Sequence, residues 1–115
     1  MGKALVATLG AGRGTWGHVA RLIATEEWDS ILLVSNEWAK EKFAPAKGVE
    51  WILLNNRAGF DIIKDTIKEK LPKGEIAISM ASGAGKEHMA LIAALNETKR
   101  TYTIVTLTKN GIKYY

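Results

Sequence analysis

The 115-residue chain contains no cysteine. Disulfides, thiolate catalysis and cysteine-ligated metals are therefore excluded. No stretch approaches the roughly 18 apolar residues that a membrane span requires, and no signal peptide precedes the first apolar run. The expectation is a cytoplasmic protein with no membrane partner. There is no internal repeat, linker or low-complexity segment, so residues 1–115 are expected to form a single domain. No His/Asp/Glu set has metal-ligand spacing, and no serine sits in a nucleophile elbow. Neither a metal nor a cofactor is expected. Basic residues outnumber acidic ones, 16 to 12, for a net charge of +4. They are dispersed, with no run resembling a nucleic-acid tail, so a discrete anionic ligand fits better than duplex DNA.

What is present is an alternation of strands and helices. Residues 3–9 (KALVATL), 30–34 (SILLV), 49–54, 75–80 and 101–108 read as five strands. Between them, 15–26 carries apolar residues at Trp16, Val19, Leu22 and Ile23, which is amphipathic helical spacing. Asn36 can cap a short helix through Phe43. Residues 59–71 and 83–96 give two further helices, the former ended by Pro72 and Gly74. Asn110-Gly111 is a strong hairpin signal, so 112–115 should return as an antiparallel edge strand. The resulting expectation is an α/β fold: a Rossmann-like, doubly wound, mostly parallel sheet of order 3-2-1-4-5 with a C-terminal hairpin strand.

In that order the first and fourth strands are neighbours, and ligands bind in the crevice at their carboxyl ends. Both strands run into small-residue loops. The first contains Gly10, Ala11, Gly12, Arg13, Gly14 and Thr15; the second contains Ser82, Gly83, Ala84, Gly85 and Lys86. Each leads to a helix N-terminus, where free N–H groups and the dipole favour an anion. Glycines at these places also serve a tight turn with no ligand. A P-loop is excluded: GxxxxGK[ST] needs glycine where Met80 stands and a hydroxyl where Glu87 stands. Gly12-Arg13-Gly14-Thr15-Trp16-Gly17 matches GxGxxG, and Glu37 lies where an acidic ribose ligand belongs. A dinucleotide (NAD) subunit is therefore one alternative.

The same two loops, the Met89-Ala90 helix after Lys86 and the closing hairpin resemble the CARF domain, the CRISPR-associated Rossmann fold that senses cyclic oligoadenylates. The likeness covers the whole chain in topology, but in sequence only residues 6–17 and 79–92. The family's Gly-Gly-Thr-Lys turn corresponds to Ser82-Gly83-Ala84-Gly85-Lys86, with Gly85 in place of the threonine. The resemblance implies a homodimer whose paired crevices hold a ring-shaped RNA, most often cyclic tetra-adenylate. It implies a stand-alone, ring-nuclease-like member that cleaves the ring without metal and switches off CRISPR antiviral signalling. A non-catalytic sensor or sponge is the other form such a domain can take. The apolar run at 89–95 fits a helix whose outer face a second subunit covers.

Ring opening would have the ribose 2′-hydroxyl attack its adjacent phosphorus, leaving a 2′,3′-cyclic phosphate and a 5′-hydroxyl. The expected ligand-binding residues are Gly10, Gly12, Gly14, Thr15, Ser82, Gly83, Gly85 and Lys86. Lys86 and Arg13 would also stabilise phosphoryl charge in catalysis. His18 and His88 are the only histidines, each about one turn into a helix after a glycine loop, and are the candidate acid–base pair. Packing on the sheet or simple exposure is the competing reading for both. Trp28 and Trp51 are expected in the core, while Trp16 and Trp38 lie near the crevice rim, where either packing or stacking on adenine suits them.

Overall fold

The continuously apolar run in KALVAT forms β1 (Lys3–Thr8) at the centre of a six-stranded sheet. In the computed structural model, which describes residues 2–55 and 57–115, the other strands are β2 (Ser30–Ser35), β3 (Glu50–Leu53), β4 (Glu75–Ser79), β5 (Thr103–Thr108) and β6 (Gly111–Tyr114). Their order is β3-β2-β1-β4-β5-β6, parallel throughout except for the β5–β6 hairpin. The expected α/β architecture and strand order are thus observed. Val6 on β1 lies opposite Leu32 on one side and Ile78 on the other. Three apolar strands side by side are the mark of a sheet covered on both faces.

The helices form the two covering layers. Helix α1 (Trp16–Thr25) and α2 (Glu37–Lys42) bury Trp16, Val19, Leu22, Ile23 and Ala39 against Leu5, Ala7, Ile31 and Leu33. On the other face α3 (Phe60–Lys70) and α4 (Gly85–Glu97) bury Ile63, Ile67, Leu91 and Leu95 against Val6, Val34, Ile76 and Ile78. Fully burying each of these aliphatic side chains contributes about 1.5–3 kcal/mol. Across the outside of the α3–α4 layer, the Glu97 carboxylate accepts from Lys64 and Lys68, both at 2.9 Å. Those hydrogen bonds, with Lys68's the larger, hold its carboxyl below the usual carboxylate range.

Boundaries shift where local chemistry outweighs periodicity. Residues 13–15 form a 3-10 turn, so α1 begins at Trp16 rather than at Thr15. Gly83 has φ +104° and stands outside the helix expected to start there; α4 begins two residues later. The hairpin turns on Lys109 and Asn110, with Gly111 alone at positive φ and already in β6. A tight turn followed by a left-handed glycine replaces the two-residue Asn-Gly turn that the sequence suggests. At the end of α4, Lys99 takes the left-handed position with φ 56°, and Arg100 N–H closes the turn on the Leu95 carbonyl at 2.9 Å.

The run at 89–95 is not apolar on every side in the same sense. Ala90, Leu91, Ala94 and Leu95 face the sheet and α3, whereas Met89 is 61% exposed. Met80, Met89, Ile92 and Ala93 line an open apolar trough. Ile104 and Tyr115 are exposed on the neighbouring hairpin and pair backbone to backbone at 2.8 Å in both directions. In this stretch β5 is followed by the hairpin strand β6 rather than by a helix.

Candidate functional site: a cleft between two clamped loops

Every parallel strand except β5 contributes its carboxyl end to one cleft of about 370 Å³. Leu9, Gly10, Ala11 and Gly12 follow β1, and Ser35 and Asn36 close β2. Leu54 and Asn55 follow β3, while Ala81, Ser82, Gly83 and Ala84 follow β4. Lys86 and Glu87 enter from the first turn of α4, and Thr15 from the start of α1. This is the switch point where crossovers leave β1 and β4 to opposite faces, the ligand crevice of open α/β sheets.

The two glycine loops touch. A Cβ on Gly10 would lie 2.8 Å from both the nitrogen and the Cα of Gly83. Gly83 is itself restricted by its positive φ. Hydrogen bonds fasten the contact. The Gly10 N–H donates to the Ser82 hydroxyl at 2.8 Å, and the Thr8 hydroxyl donates to the Ser82 carbonyl. The same carbonyl lies 2.8 Å from His88 Nε2, which is also 3.1 Å from Thr8 Oγ1. Nε2 therefore carries the hydrogen that the carbonyl needs. On the other side the Trp16 indole donates to the Gly10 carbonyl at 2.7 Å, and Ser35 to the Leu9 carbonyl at 2.6 Å. Thr8, Ser35 and Ser82 are buried polar groups, and each has a partner in this clamp.

Several expected site residues turn out to build the clamp. Ser82 is 2% exposed with its hydroxyl engaged by Gly10, so it supports the wall of the cleft. His88 is held behind the loop, on the side of the apolar trough, rather than in the cleft. His18 is exposed on α1, away from the buried stripe of Trp16, Val19 and Leu22. Arg13 does not line the cleft. Its guanidinium lies 5.6 Å from the Trp16 ring and 5.4 Å from the Trp38 ring, drawn there by cation–π attraction. Gly14 and Gly85 are exposed and stand outside the lining. The residues brought together are Gly10, Gly12, Thr15, Ser82, Gly83 and Lys86.

The electrostatics at the mouth are mixed. Helix α4 begins at Gly85, its N-cap Ala84 offers no side-chain acceptor to the first N–H groups, and Lys86 stands beside them. Glu87 turns back to accept the Ala84 N–H at 3.2 Å, placing a carboxylate in the same cleft. An anion would thus meet Lys86 and open N–H groups favourably, and Glu87 unfavourably. Helix α2, by contrast, is closed by Asn36, whose Oδ1 accepts the Ala39 N–H at 2.9 Å. Asn55 accepts the Arg57 N–H at 2.8 Å.

Thr8, Ser35, Asn55 and Glu87 went unremarked as site residues in the sequence. The rule that ligands meet the carboxyl ends of parallel strands points to Ser35 and Asn55 once the sheet order is known. Thr8 and Glu87 carry no signal without the loop contact. Among the described residues no cluster of three or more His, Asp or Glu side chains has metal-site geometry. Among the described residues no helix is long and apolar enough to cross a membrane. No protein-family model matches the chain, and no curated protein matches its sequence significantly.

Proposed function

We propose that the protein binds a cyclic oligoadenylate, cyclic tetra-adenylate first among them, across a homodimer in which each protomer supplies one cleft. One observation carries the reading: the Gly10–Gly12 loop and the start of α4, whose N-cap Ala84 has no side-chain acceptor, converge with Lys86 on a single cleft at the switch point. Phosphate oxygens would meet Lys86 and the N–H groups of α4, with the Gly12 backbone leaving room for close approach. A Cβ on Gly12 meets nothing within 4 Å, so the space beside it is open. The uncovered trough of Met80, Met89, Ile92 and Ala93 supports the dimer. The same reading takes the protein to be cytoplasmic.

Binding without cleavage is the form the geometry supports best. His88 is committed to the Ser82 carbonyl and His18 lies on the solvent face of α1, so neither offers an acid–base group at the cleft. A dinucleotide is the second reading, favoured by Glu37 at the carboxyl end of β2 beside the cleft. A thermal-shift panel of cyclic tetra-adenylate, cyclic hexa-adenylate, NAD and ATP in EDTA tests both, followed by mass spectrometry of the recovered ligand. The proposal expects stabilisation by a cyclic oligoadenylate recovered as an intact ring. Linear products ending in cyclic phosphate would make the protein a ring nuclease. Stabilisation by NAD alone would replace the proposal with the second reading.

A further inference from the structure

The cleft does not end at the phosphate-facing loops. Ala11, Asn36, Leu54 and Asn55 line both the cleft and a second, shallower groove, so the two are continuous. The groove runs over the start of α2 and is completed by Glu37, Trp38 and Leu53. Its composition differs from that of the cleft: the first holds backbone and Lys86, the second an indole.

Trp38 is 42% exposed. An indole of that exposure ordinarily sweeps through several rotamers, yet this one is braced. Its ring centroid lies 5.8 Å from that of Trp16, tilted by 57°, and the Arg13 guanidinium sits 5.4 Å from it and 5.6 Å from Trp16. Trp16 is in turn held by its indole hydrogen bond to Gly10 and by edge contact with Phe43 at 5.7 Å. Phe43 packs edge-on to Trp51 at 6.3 Å. The outermost indole is thus the end of an ordered row rooted in the core. A preset aromatic plate loses little entropy when a flat ligand lies on it.

We infer that this groove is a nucleoside subsite: Trp38 stacks a nucleobase, Glu37 accepts a hydrogen bond from the ribose 2′-hydroxyl, and the linked phosphate lies in the adjoining cleft. This rests on the nucleotide reading above and adds an orientation to it, with the base directed toward the β3 edge of the sheet. Asn55 keeps its amide NH2 as a donor for the base edge, since its Oδ1 is taken by the Arg57 N–H. Arg13 lines neither groove and serves in this arrangement as the brace of the plate, its guanidinium held 5.4 Å from the Trp38 ring and 5.6 Å from the Trp16 ring.

The test compares AMP, ribose 5-phosphate and inorganic pyrophosphate by isothermal titration and by quenching of tryptophan fluorescence. Wild-type protein is expected to bind AMP about tenfold more tightly than ribose 5-phosphate, the increment of one stacked base. Trp38→Ala should erase that difference while leaving pyrophosphate affinity unchanged, and Trp38→Phe should restore most of it. Lys86→Ala should weaken all three ligands together. Equal affinity for AMP and ribose 5-phosphate, or an AMP affinity indifferent to Trp38→Ala, would overturn the subsite while sparing the phosphate cleft. Failure of all three ligands to bind the folded wild-type chain would overturn both.

Discussion

Replacing Gly10 by alanine forces a Cβ to within 2.8 Å of the Gly83 backbone nitrogen and Cα. Neither atom belongs to a flexible side chain, so the strain can be relieved only by parting the two loops. Parting them stretches the hydrogen bond from Gly10 N–H to Ser82, which is 2.8 Å long. Overpacking of this kind costs about 1–3 kcal/mol and a weakened buried hydrogen bond about 1 more. The expected destabilisation is therefore about 2–4 kcal/mol. With a urea slope on the order of 1.5 kcal/mol per M, the unfolding midpoint should fall by roughly 1.3–2.7 M. Gly12→Ala is the internal control. A Cβ there meets nothing within 4 Å and its φ of −78° suits any residue. Its midpoint should stay level or rise slightly, because alanine lowers the entropy of the unfolded chain. Its nucleotide affinity should nevertheless drop, since the added methyl projects into space lining the cleft. Urea denaturation of both variants, followed by circular dichroism, decides the matter. Equal midpoints for Gly10→Ala and wild type would refute the clamp.

Other parts of the structure are open to simpler tests. Ser82→Ala leaves the part-buried Gly10 N–H without its partner and should cost about 1–2 kcal/mol in the same denaturation assay. Burial, then its hydrogen bond to Glu26, raises the Tyr114 phenol well above its ordinary value of 10. The folded state therefore retains that proton after the unfolded chain has lost it. The contribution is present below pH 10 and declines as pH rises beyond it, and Tyr114→Phe should make the stability profile above pH 10 less steep. Met89→Asp places a charge in the apolar trough without touching the core. It should convert a dimer into a monomer by light scattering with little change in monomer folding; a wild-type monomer would remove the two-cleft arrangement. Lys99→Gly relieves a left-handed lysine and should stabilise by about 0.5–1 kcal/mol in thermal unfolding.

The strand order was legible because the central apolar runs that become β1, β2 and β4 are buried on both faces and helical stretches separate the runs. Asn36 announced its own cap, and the glycine loops announced the crevice. The roles inside the crevice were not legible, because they depend on which of two nearby partners each side chain meets. Arg13 follows a glycine toward the phosphate side in sequence, but two indoles brought together from α1 and α2 offer it a better seat. His88 and Thr8 are 80 residues apart, and only the contact of Gly10 with Gly83 places them within 3.1 Å. Ser82 looked like a hydroxyl for a ligand. The loop contact that gives the crevice its shape also occupies that hydroxyl. The α4 run looked uniformly apolar because alanine is small enough for either environment, and only Leu91 and Leu95 mark the inward face.

In the proposed binding mode Lys86 and the start of α4 hold the phosphates of a nucleotide in the cleft between the clamped loops. Isothermal titration of cyclic tetra-adenylate in EDTA, into wild type and into Lys86→Ala, tests it most directly. Wild type should bind saturably, at one ring per two chains, and the variant should lose at least about tenfold in affinity, the scale of one charge-assisted contact. No binding to wild type, or equal affinity in the two proteins, would contradict it.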